Sequence, residues 1–219
     1  MINPQFPYRL YLVTDEAACL GRDFFGVIED AVKGGVDVVQ LREKTLVKEA
    51  FLEKALRLKT ILDRYHVPLI INDNVWVASQ CQAAGLHVGN SDAQPEMIRR
   101  QHPTIKILGY SIEHESQLQS ENAALSDYLA LSPIFSTPTK TDTITEWKLE
   151  GIARIRKLTQ KPLVAIGAIN EANAAAVIAA GADCLAVVSA VCAAKNPALA
   201  AERLRNQIEK AIAHQHEKI

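Results

Sequence analysis

The stretch Val38–Lys44, with the sequence VVQLREK, joins an apolar run to a cluster of charged residues. Alternate residues of a β-strand point to the same face, so Gln40, Arg42 and Lys44 should share one face and Glu43 the other. A buried strand that ends in two cations is suited to holding an anionic group, which Arg can grip with two hydrogen bonds. We therefore take this stretch as the start of a candidate binding site.

Two carboxylates, Asp73 and Asp92, lie at the end of two later segments, IIND and HVGNSD. Such a pair on neighbouring strands suits a hard cation such as Mg²⁺, which takes few protein oxygens and keeps water and substrate phosphates as its other ligands. Each residue also precedes a helical stretch, so for either one alone a helix N-cap is an equally good interpretation. The two together at adjacent strand ends favour a metal site.

Short apolar runs alternate with amphipathic stretches along the whole chain, and this alternation predicts eight strand–helix units. The predicted strands are 9–14, 38–43, 69–73, 85–89, 106–111, 128–133, 162–167 and 184–190. The predicted helices are 24–33, 46–66, 75–83, one from 95, 115–125, 146–158, 170–180 and 197–214. Glycines in the segments GGVDVVQL, AGLHV and AGADCLAVV indicate helix C-caps before the chain returns to a strand.

This count predicts the α/β class with a single (β/α)8 barrel, a TIM barrel, over residues 1–219. The competing architecture is an open doubly wound sheet, but no G-x-G-x-x-G follows any predicted strand. A length of 219 residues and a hydrophobic fraction of 48% fit one barrel domain with a substantial core.

The net charge of −1 gives no general attraction for nucleic acid or for an anionic membrane. The four cysteines show no paired spacing, and no segment resembles a signal peptide or reaches transmembrane length. We therefore expect a cytoplasmic protein that binds small phosphorylated molecules, with no nucleic acid and no membrane as partners. The sequence leaves open whether it forms a homo-oligomer.

In a (β/α)8 barrel, the residues at the carboxyl ends of the strands form the active site. That rule collects Asp15, Gln40, Arg42, Lys44, Asn72, Asp73, His87, Asn90, Asp92, Ser111, Thr137, Thr139, Lys140, Gly167 and Ser189. The cations Arg42, Lys44 and Lys140 beside the Asp pair would suit a magnesium–diphosphate group.

A second anion site is predicted after the seventh and eighth strands. Gly167-Ala168 and Val188-Ser189 lie where barrels commonly bind phosphate through backbone N–H groups. A tight turn is a competing explanation for Gly167 alone. The long segment 132–142 indicates a lid or a binding loop, and Ser111 with His114 could suggest a nucleophile and its base. No acid partner for that pair is evident, so we expect Ser111 to hydrogen-bond a ligand.

Eight motifs, in order and spacing, resemble the thiamine phosphate synthase family. They are YLVTD (11–15), VQLREK (39–44), IIND (70–73), HVGNSD (87–92), GYSIEH (109–114), PIFSTPTK (133–140), VAIGAI (164–169) and AVVSAV (186–191). The family is a group of transferases of thiamine biosynthesis that join hydroxymethylpyrimidine diphosphate to thiazole phosphate. The products are thiamine monophosphate and diphosphate.

The resemblance implies a role for each matching residue. The pyrimidine diphosphate would be held by Gln40, Leu41, Arg42, Glu43, Lys44, Asn72, Ser111 and Lys140, of which Arg42, Lys44, Ser111 and Lys140 would be catalytic. The thiazole phosphate would be held by Thr137, Pro138, Thr139, Gly167, Ala168, Val188 and Ser189. One Mg²⁺ per subunit would be bound by Asp73 and Asp92. Strand alternation alone indicates a structural role for Glu43.

The sequence departs from the family pattern at Asn74, Ser132 and Ala168, where the family usually has Arg, Gly and Gly. If Ala168 must take a positive φ, it is strained there, although its N–H can still donate. We expect weaker thiazole-phosphate binding at most. Two alternatives are a thiazole tautomerase, which shares the barrel but needs no metal, and a non-catalytic sensor of thiamine phosphates.

Overall fold

The computed structural model describes residues 6–136 and 146–216. Eight parallel strands form a closed barrel in the order β1 to β8, with β8 paired to β1. The strands are β1 Leu10–Val13, β2 Val38–Leu41, β3 Leu69–Asn72, β4 Gly85–Val88, β5 Ile107–Ile112, β6 Tyr128–Leu131, β7 Leu163–Ile166 and β8 Cys184–Val187. The predicted (β/α)8 fold is confirmed.

Helices connect the strands and surround the barrel. They are α1 Phe24–Lys33, α2 Lys48–Asp63, α3 Val75–Gln80, α4 Pro95–Gln101, α5 Glu121–Leu125, α6 Lys148–Leu158, α7 Ala174–Ala179, α8 Ser189–Cys192 and α9 Pro197–His216. Two 3₁₀ helices, Ala17–Cys19 and Glu115–Gln119, follow β1 and β5. Within the described ranges, no helix has the length and apolarity needed to cross a membrane.

Strand alternation divides the core into two layers. Leu10 and Leu12 of β1 belong to the outer layer between strands and helices, whereas Tyr11 and Val13 belong to the barrel interior. Phe6, just before β1, packs against Tyr128 inside the barrel, with the two ring centroids 4.2 Å apart. Aromatic side chains therefore fill the barrel interior near the amino ends of the strands, and the polar positions lie nearer the carboxyl ends. All four cysteines are buried free thiols, which agrees with their unpaired spacing in the sequence.

The glycine signals at helix ends are confirmed for two of the three segments. Gly34 is the C-cap of α1, and Gly181, with φ of +117°, follows the C-cap of α7. The prediction for AGLHV was wrong, because Gly85 is the first residue of β4 and Gln82 takes the positive φ instead. A Cβ on Gly85 would lie 2.3 Å from the carbonyl oxygen of Ile107, so glycine lets β4 and β5 approach closely.

Two element boundaries differ from the prediction in the region that follows β7 and β8. The eighth strand ends at Val187, and Ser189 is the first residue of the short helix α8. Helix α7 begins at Ala174 rather than at residue 170. The side chains of Asn170 and Asn173 hydrogen-bond the backbone there, which holds a turn in place of the first helical residues.

Candidate active site

The inward-facing positions nearest the carboxyl ends of the strands are polar on one half of the barrel and apolar on the other. Strands β2 to β5 supply Gln40, Asn72, His87 and Ser111, whereas β6, β7, β8 and β1 supply Ala130, Ile166, Ala186 and Val13. These residues line a cavity of about 340 Å³. The cavity therefore has one wall that can hydrogen-bond a ligand and one that can exclude water.

A chain of hydrogen bonds crosses the floor of this cavity. Gln40 Nε2 donates to the Tyr11 hydroxyl at 2.9 Å, and that hydroxyl lies 3.0 Å from the Tyr128 hydroxyl. The Tyr128 hydroxyl lies 2.9 Å from His87 Nδ1, and His87 Nε2 lies 2.9 Å from Ser111 Oγ. Burial raises the pKa of both tyrosines, so the phenols stay protonated. The chain fixes the orientation of Gln40 and Ser111 on opposite sides.

The histidine that hydrogen-bonds Ser111 is His87 and not His114, which agrees with setting aside Ser111 and His114 as a nucleophile and its base. His114 is instead the N-cap of the 3₁₀ helix Glu115–Gln119. Tyr11 and Tyr128 were not among the predicted site residues. One signal for Tyr128 was Gly109, since a Cβ there would lie 2.1 Å from Tyr128 Cζ. Glycine in mid-strand therefore makes room for a large side chain inside the barrel.

Asn72 has a polar group that nothing in the described part of the chain satisfies. Its side chain lines the cavity and is 7% exposed, and its Nδ2 is buried without a hydrogen-bond acceptor there. A buried amide donor without a partner costs about 1–3 kcal/mol. A ligand acceptor in the cavity would remove that cost.

Asp73 and Asp92 lie side by side at the rim of the cavity, as the sequence predicted. Lys44 Nζ is 2.5 Å from Asp73 Oδ2, and Asp92 Oδ2 accepts from the Gly89 N–H at 2.8 Å. Burial raises the pKa of Asp92, and the neighbouring Asp73 carboxyl raises it further against the opposing effect of the Gly89 N–H. The pair is therefore a concentration of negative charge that a cation would stabilise.

Neither of these two carboxylates caps a helix, so the N-cap interpretation was wrong. Asn74 caps α3, since its Oδ1 accepts from the Val77 N–H at 3.0 Å. The N-cap of α4 is Gln94, two residues beyond Asp92. Across residues 6–136 and 146–216, no group of three or more His, Cys, Asp and Glu side chains could hold a metal. Among the described residues, the side-by-side carboxylates of Asp73 and Asp92 are therefore the candidate protein ligands.

Arg42 lies between this cavity and a second, smaller one of about 100 Å³. Its backbone N–H donates to Thr14 Oγ1 at 3.1 Å. The two neighbours of Arg42 face away from both cavities. Leu41 is fully buried in the outer core, and Glu43 forms an ion pair with Lys54 of α2. Glu43 therefore has the structural role that strand alternation indicated. The side chains of Leu41 and Glu43 line neither cavity, so the structure does not support their predicted contact with the pyrimidine diphosphate.

The second cavity is built around the turn after β7. Gly167 has φ of +122° and Ala168 has φ of +50°, and Val188 and Ser189 lie opposite them. A Cβ on Gly167 would lie 2.7 Å from Pro133 Cβ, so this position requires glycine for space as well as for conformation. The N–H groups of Gly167, Ala168 and Ser189 have no acceptor among the described residues. Successive free N–H groups of this kind form concave anion sites.

The remaining candidates fall into two groups. Asp15 accepts from the Ala18 N–H, and Asn90 accepts from the Tyr110 hydroxyl at 2.6 Å, so both support local structure. Thr137, Pro138, Thr139 and Lys140 lie outside the described residues. Just before that segment, the Ser136 N–H donates to Glu146 Oε1 at 2.9 Å, which brings the two sides of the segment together.

Comparison with known proteins decides the family. Residues 10–191 match the family model described as thiamine monophosphate synthase. A thiamine-phosphate synthase of Albidiferax ferrireducens is 49% identical over 201 residues, which cover 92% of each chain. The chain belongs to the thiamine monophosphate synthase family. It is therefore an enzyme, a transferase of thiamine biosynthesis, as the resemblance implied.

Two further comparisons extend this assignment along the chain. A thiamine-phosphate synthase of Vibrio parahaemolyticus is 48% identical over 197 residues, covering 90% of this chain and 96% of the relative. The thiamine phosphate pyrophosphorylase of Pyrococcus furiosus has a TM-score of 0.86 at 29% identity, covering 96% of this chain and 100% of that one. The family match thus spans the whole barrel.

The three departures from the family pattern have different structural settings. Asn74 is the N-cap of α3, and Ser132 lies at a cis peptide bond to Pro133 where both cavities meet. Ala168 takes the positive φ that was expected to strain it. Only the Ala168 departure falls within the phosphate-binding turn expected of this family.

Proposed function

We propose that this enzyme condenses 4-amino-2-methyl-5-hydroxymethylpyrimidine diphosphate with thiazole phosphate, releasing diphosphate and giving thiamine monophosphate. One observation carries the proposal. An acidic pair beside Lys44 lies at the rim of one cavity, and an adjoining cavity is lined by a turn whose backbone N–H groups have no acceptor among the described residues. Two phosphorylated substrates would thus have two separate anion sites, with Arg42 between them.

The residues present fit a single Mg²⁺. Asp73 and Asp92 are hard oxygen donors placed side by side, and two carboxylates match the few protein ligands that Mg²⁺ takes when substrate phosphates supply the others. Bound there, Mg²⁺ would withdraw charge from the diphosphate as it leaves. Lys44, already at Asp73, would donate to the same diphosphate, and Arg42 would hold it from the other side.

The polar wall of the cavity would bind the pyrimidine. Asn72 Nδ2 is a buried donor without a partner among the described residues, and a ring nitrogen would supply its acceptor. Gln40 and Ser111 are held in fixed orientations by the hydrogen-bond chain through Tyr11, Tyr128 and His87. Side chains held in this way bind a flat ring in one orientation without further ordering.

The bond between the exocyclic methylene carbon and the diphosphate oxygen would break first, with its electron pair leaving on the diphosphate. The resulting pyrimidine-methyl cation is stabilised by its ring amine, and the apolar wall of Val13, Ile166 and Ala186 would keep water from trapping it. The thiazole nitrogen then donates its electron pair to that carbon. No covalent enzyme intermediate is required. Ser111, which hydrogen-bonds His87, is accordingly proposed to contact the pyrimidine and not to act as a nucleophile.

The thiazole phosphate would bind at the second cavity, where the N–H groups of Gly167, Ala168 and Ser189 face the phosphate. Thr137, Pro138 and Thr139 are proposed as further contacts from the family resemblance, and Lys140 as a further cation on the diphosphate. These four are expectations of the sequence.

The test is to mix the purified protein with both substrates, with Mg²⁺ or with excess EDTA, and to measure thiamine monophosphate. We expect product with Mg²⁺ and none with EDTA. Equal product in EDTA would contradict the metal assignment. No product at all, with binding of thiamine phosphates retained, would favour the sensor. Interconversion of thiazole tautomers without metal would favour the tautomerase.

A further inference from the structure

The turn that follows β7 is held by two asparagine side chains that lie outside the cavity. Asn173 Nδ2 donates to the Ala168 carbonyl oxygen at 3.0 Å, and Asn170 Nδ2 reaches the same oxygen at 3.3 Å. Asn173 Oδ1 in turn accepts from the Asn170 N–H at 2.9 Å. The Asn173 side chain therefore bridges the chain from residue 168 to residue 170.

This contact acts on a residue whose backbone conformation is unfavourable. Ala168 has φ of +50°, a region that an L-residue with a Cβ enters at a cost and that glycine enters freely. Ala168 and Ile169 line the second cavity, whereas neither asparagine does. The Ala168 carbonyl is thus held by side chains that do not line the cavity.

The direction of one carbonyl fixes the direction of the next N–H. In a trans peptide unit the C=O and the following N–H point in opposite directions. When Asn173 holds the Ala168 carbonyl on its own side, the Ile169 N–H is directed to the other side. That N–H has no acceptor among the residues that the structure describes.

We propose that Asn173 is a positioning residue for the thiazole phosphate, because it holds Ala168 in the left-handed conformation that directs the turn's N–H groups to the phosphate. The inference rests on the proposed function for the identity of the ligand. It assigns a role to a residue that neither the sequence motifs nor the lining of the cavity identified. Asn170 assists with the longer of the two hydrogen bonds to the same carbonyl.

A double-mutant cycle between Asn173→Ala and Ala168→Gly tests the proposal, since such a cycle measures the coupling between two contacting residues. We expect Asn173→Ala alone to raise the KM for thiazole phosphate on the order of ten-fold, because Ala168 can then leave the left-handed region. The KM for the pyrimidine diphosphate should stay within about two-fold. In the Ala168→Gly background the same substitution should raise the KM by only about three-fold or less, because glycine retains that conformation without help.

Two controls separate positioning from general support of the fold. Asn196→Ala removes a similar bond, from the Leu199 N–H to Asn196 Oδ1 at the start of α9, and should leave both KM values unchanged. Asn173→Asp keeps the acceptor for the Asn170 N–H and loses the donor to Ala168, so it replaces Asn173→Ala if that variant does not fold. Its added charge is present in both backgrounds and cancels in the cycle.

Equal effects of Asn173→Ala in the wild-type and Ala168→Gly backgrounds, or equal rises in both KM values, would overturn the proposal. The same cycle is also measured by thermal unfolding, which requires no substrate. There, a larger loss of Tm in the wild-type background supports the coupling, and equal losses refute it. If the wild-type enzyme makes no thiamine monophosphate, the proposed function fails, and the Tm cycle still decides whether Asn173 holds Ala168 in its left-handed conformation.

Discussion

At the β2–β4 end of the site the polar groups belong to charged side chains, whereas at the β7–β8 end they belong mainly to the backbone. Lys44, Asp73 and Asp92 lie after β2, β3 and β4, and of the three only Asp73 has a positive φ, of +61°. Gly167 and Ala168 contribute N–H groups through positive φ values. Both ends are proposed to bind phosphate groups, by charge in one case and by backbone shape in the other.

The difference decides what a mutation can remove. Truncating a charged side chain deletes the binding group itself and leaves its former partner unpaired. A backbone N–H cannot be deleted in this way, and it is lost only when the turn changes conformation. Substitutions at the first end should therefore act through lost charge, and substitutions at the second through lost geometry.

The largest effect is expected from Asp92→Ala. We expect kcat/KM to fall by about 100-fold or more, because metal stabilisation of developing charge amounts to several kcal/mol. Calorimetric titration with Mg²⁺ should lose its heat of binding in the same variant. Asp63→Ala is the matched control, since that carboxylate is exposed on α2 and pairs with Lys59. A normal rate for Asp92→Ala would show that the reaction needs no metal bound by Asp92.

The next largest effect is expected at the backbone end, from Gly167→Ala. The added Cβ would lie 2.7 Å from Pro133 Cβ and 2.8 Å from the Ile134 nitrogen, and φ of +122° is unfavourable for alanine. We expect the KM for thiazole phosphate to rise at least about ten-fold, because such strain costs about 1–3 kcal/mol. Steady-state kinetics with each substrate varied in turn would measure it. A larger rise in the KM for the pyrimidine diphosphate would show that the turn binds that substrate and not the thiazole phosphate.

Lys44→Ala should have an intermediate effect at the charged end. The lost charge-assisted hydrogen bond to the diphosphate is worth about 1.5 kcal/mol, which raises the KM for the pyrimidine diphosphate roughly ten-fold. Lys44 is half exposed, with a side-chain exposure of 51%, so solvent screening limits the effect. Lys59→Ala serves as the control for loss of a surface lysine. An unchanged KM for Lys44→Ala would place this lysine outside the diphosphate site.

The two ends also differ in how far the sequence could predict them. That Arg42, Lys44, Asp73 and Asp92 line one cavity followed from residue type and from their position at or after strand carboxyl ends. The Tyr11–Tyr128–His87 chain was missed, since its contacts span the barrel interior and depend on strand register. Asn173 was missed because a polar residue beside a turn has no distinctive type. The barrel itself followed from periodicity, but the start of α7 did not, because side chains compete there with the helix for backbone groups.

Ser189→Ala should have the smallest effect, and it is the sharpest test of the backbone end. The substitution removes the hydroxyl at the start of α8 and leaves the N–H of residue 189 in place. We expect the KM for thiazole phosphate to rise only about three- to five-fold, because one neutral hydrogen bond contributes about 1 kcal/mol. The kcat should not change, since the hydroxyl is proposed to contact the phosphate and not the reacting carbon. A rise in KM as large as that of Gly167→Ala would mean that the Ser189 hydroxyl, and not the backbone of the turn, is the main group that binds the phosphate. Both ends of the site would then bind phosphate groups through side chains.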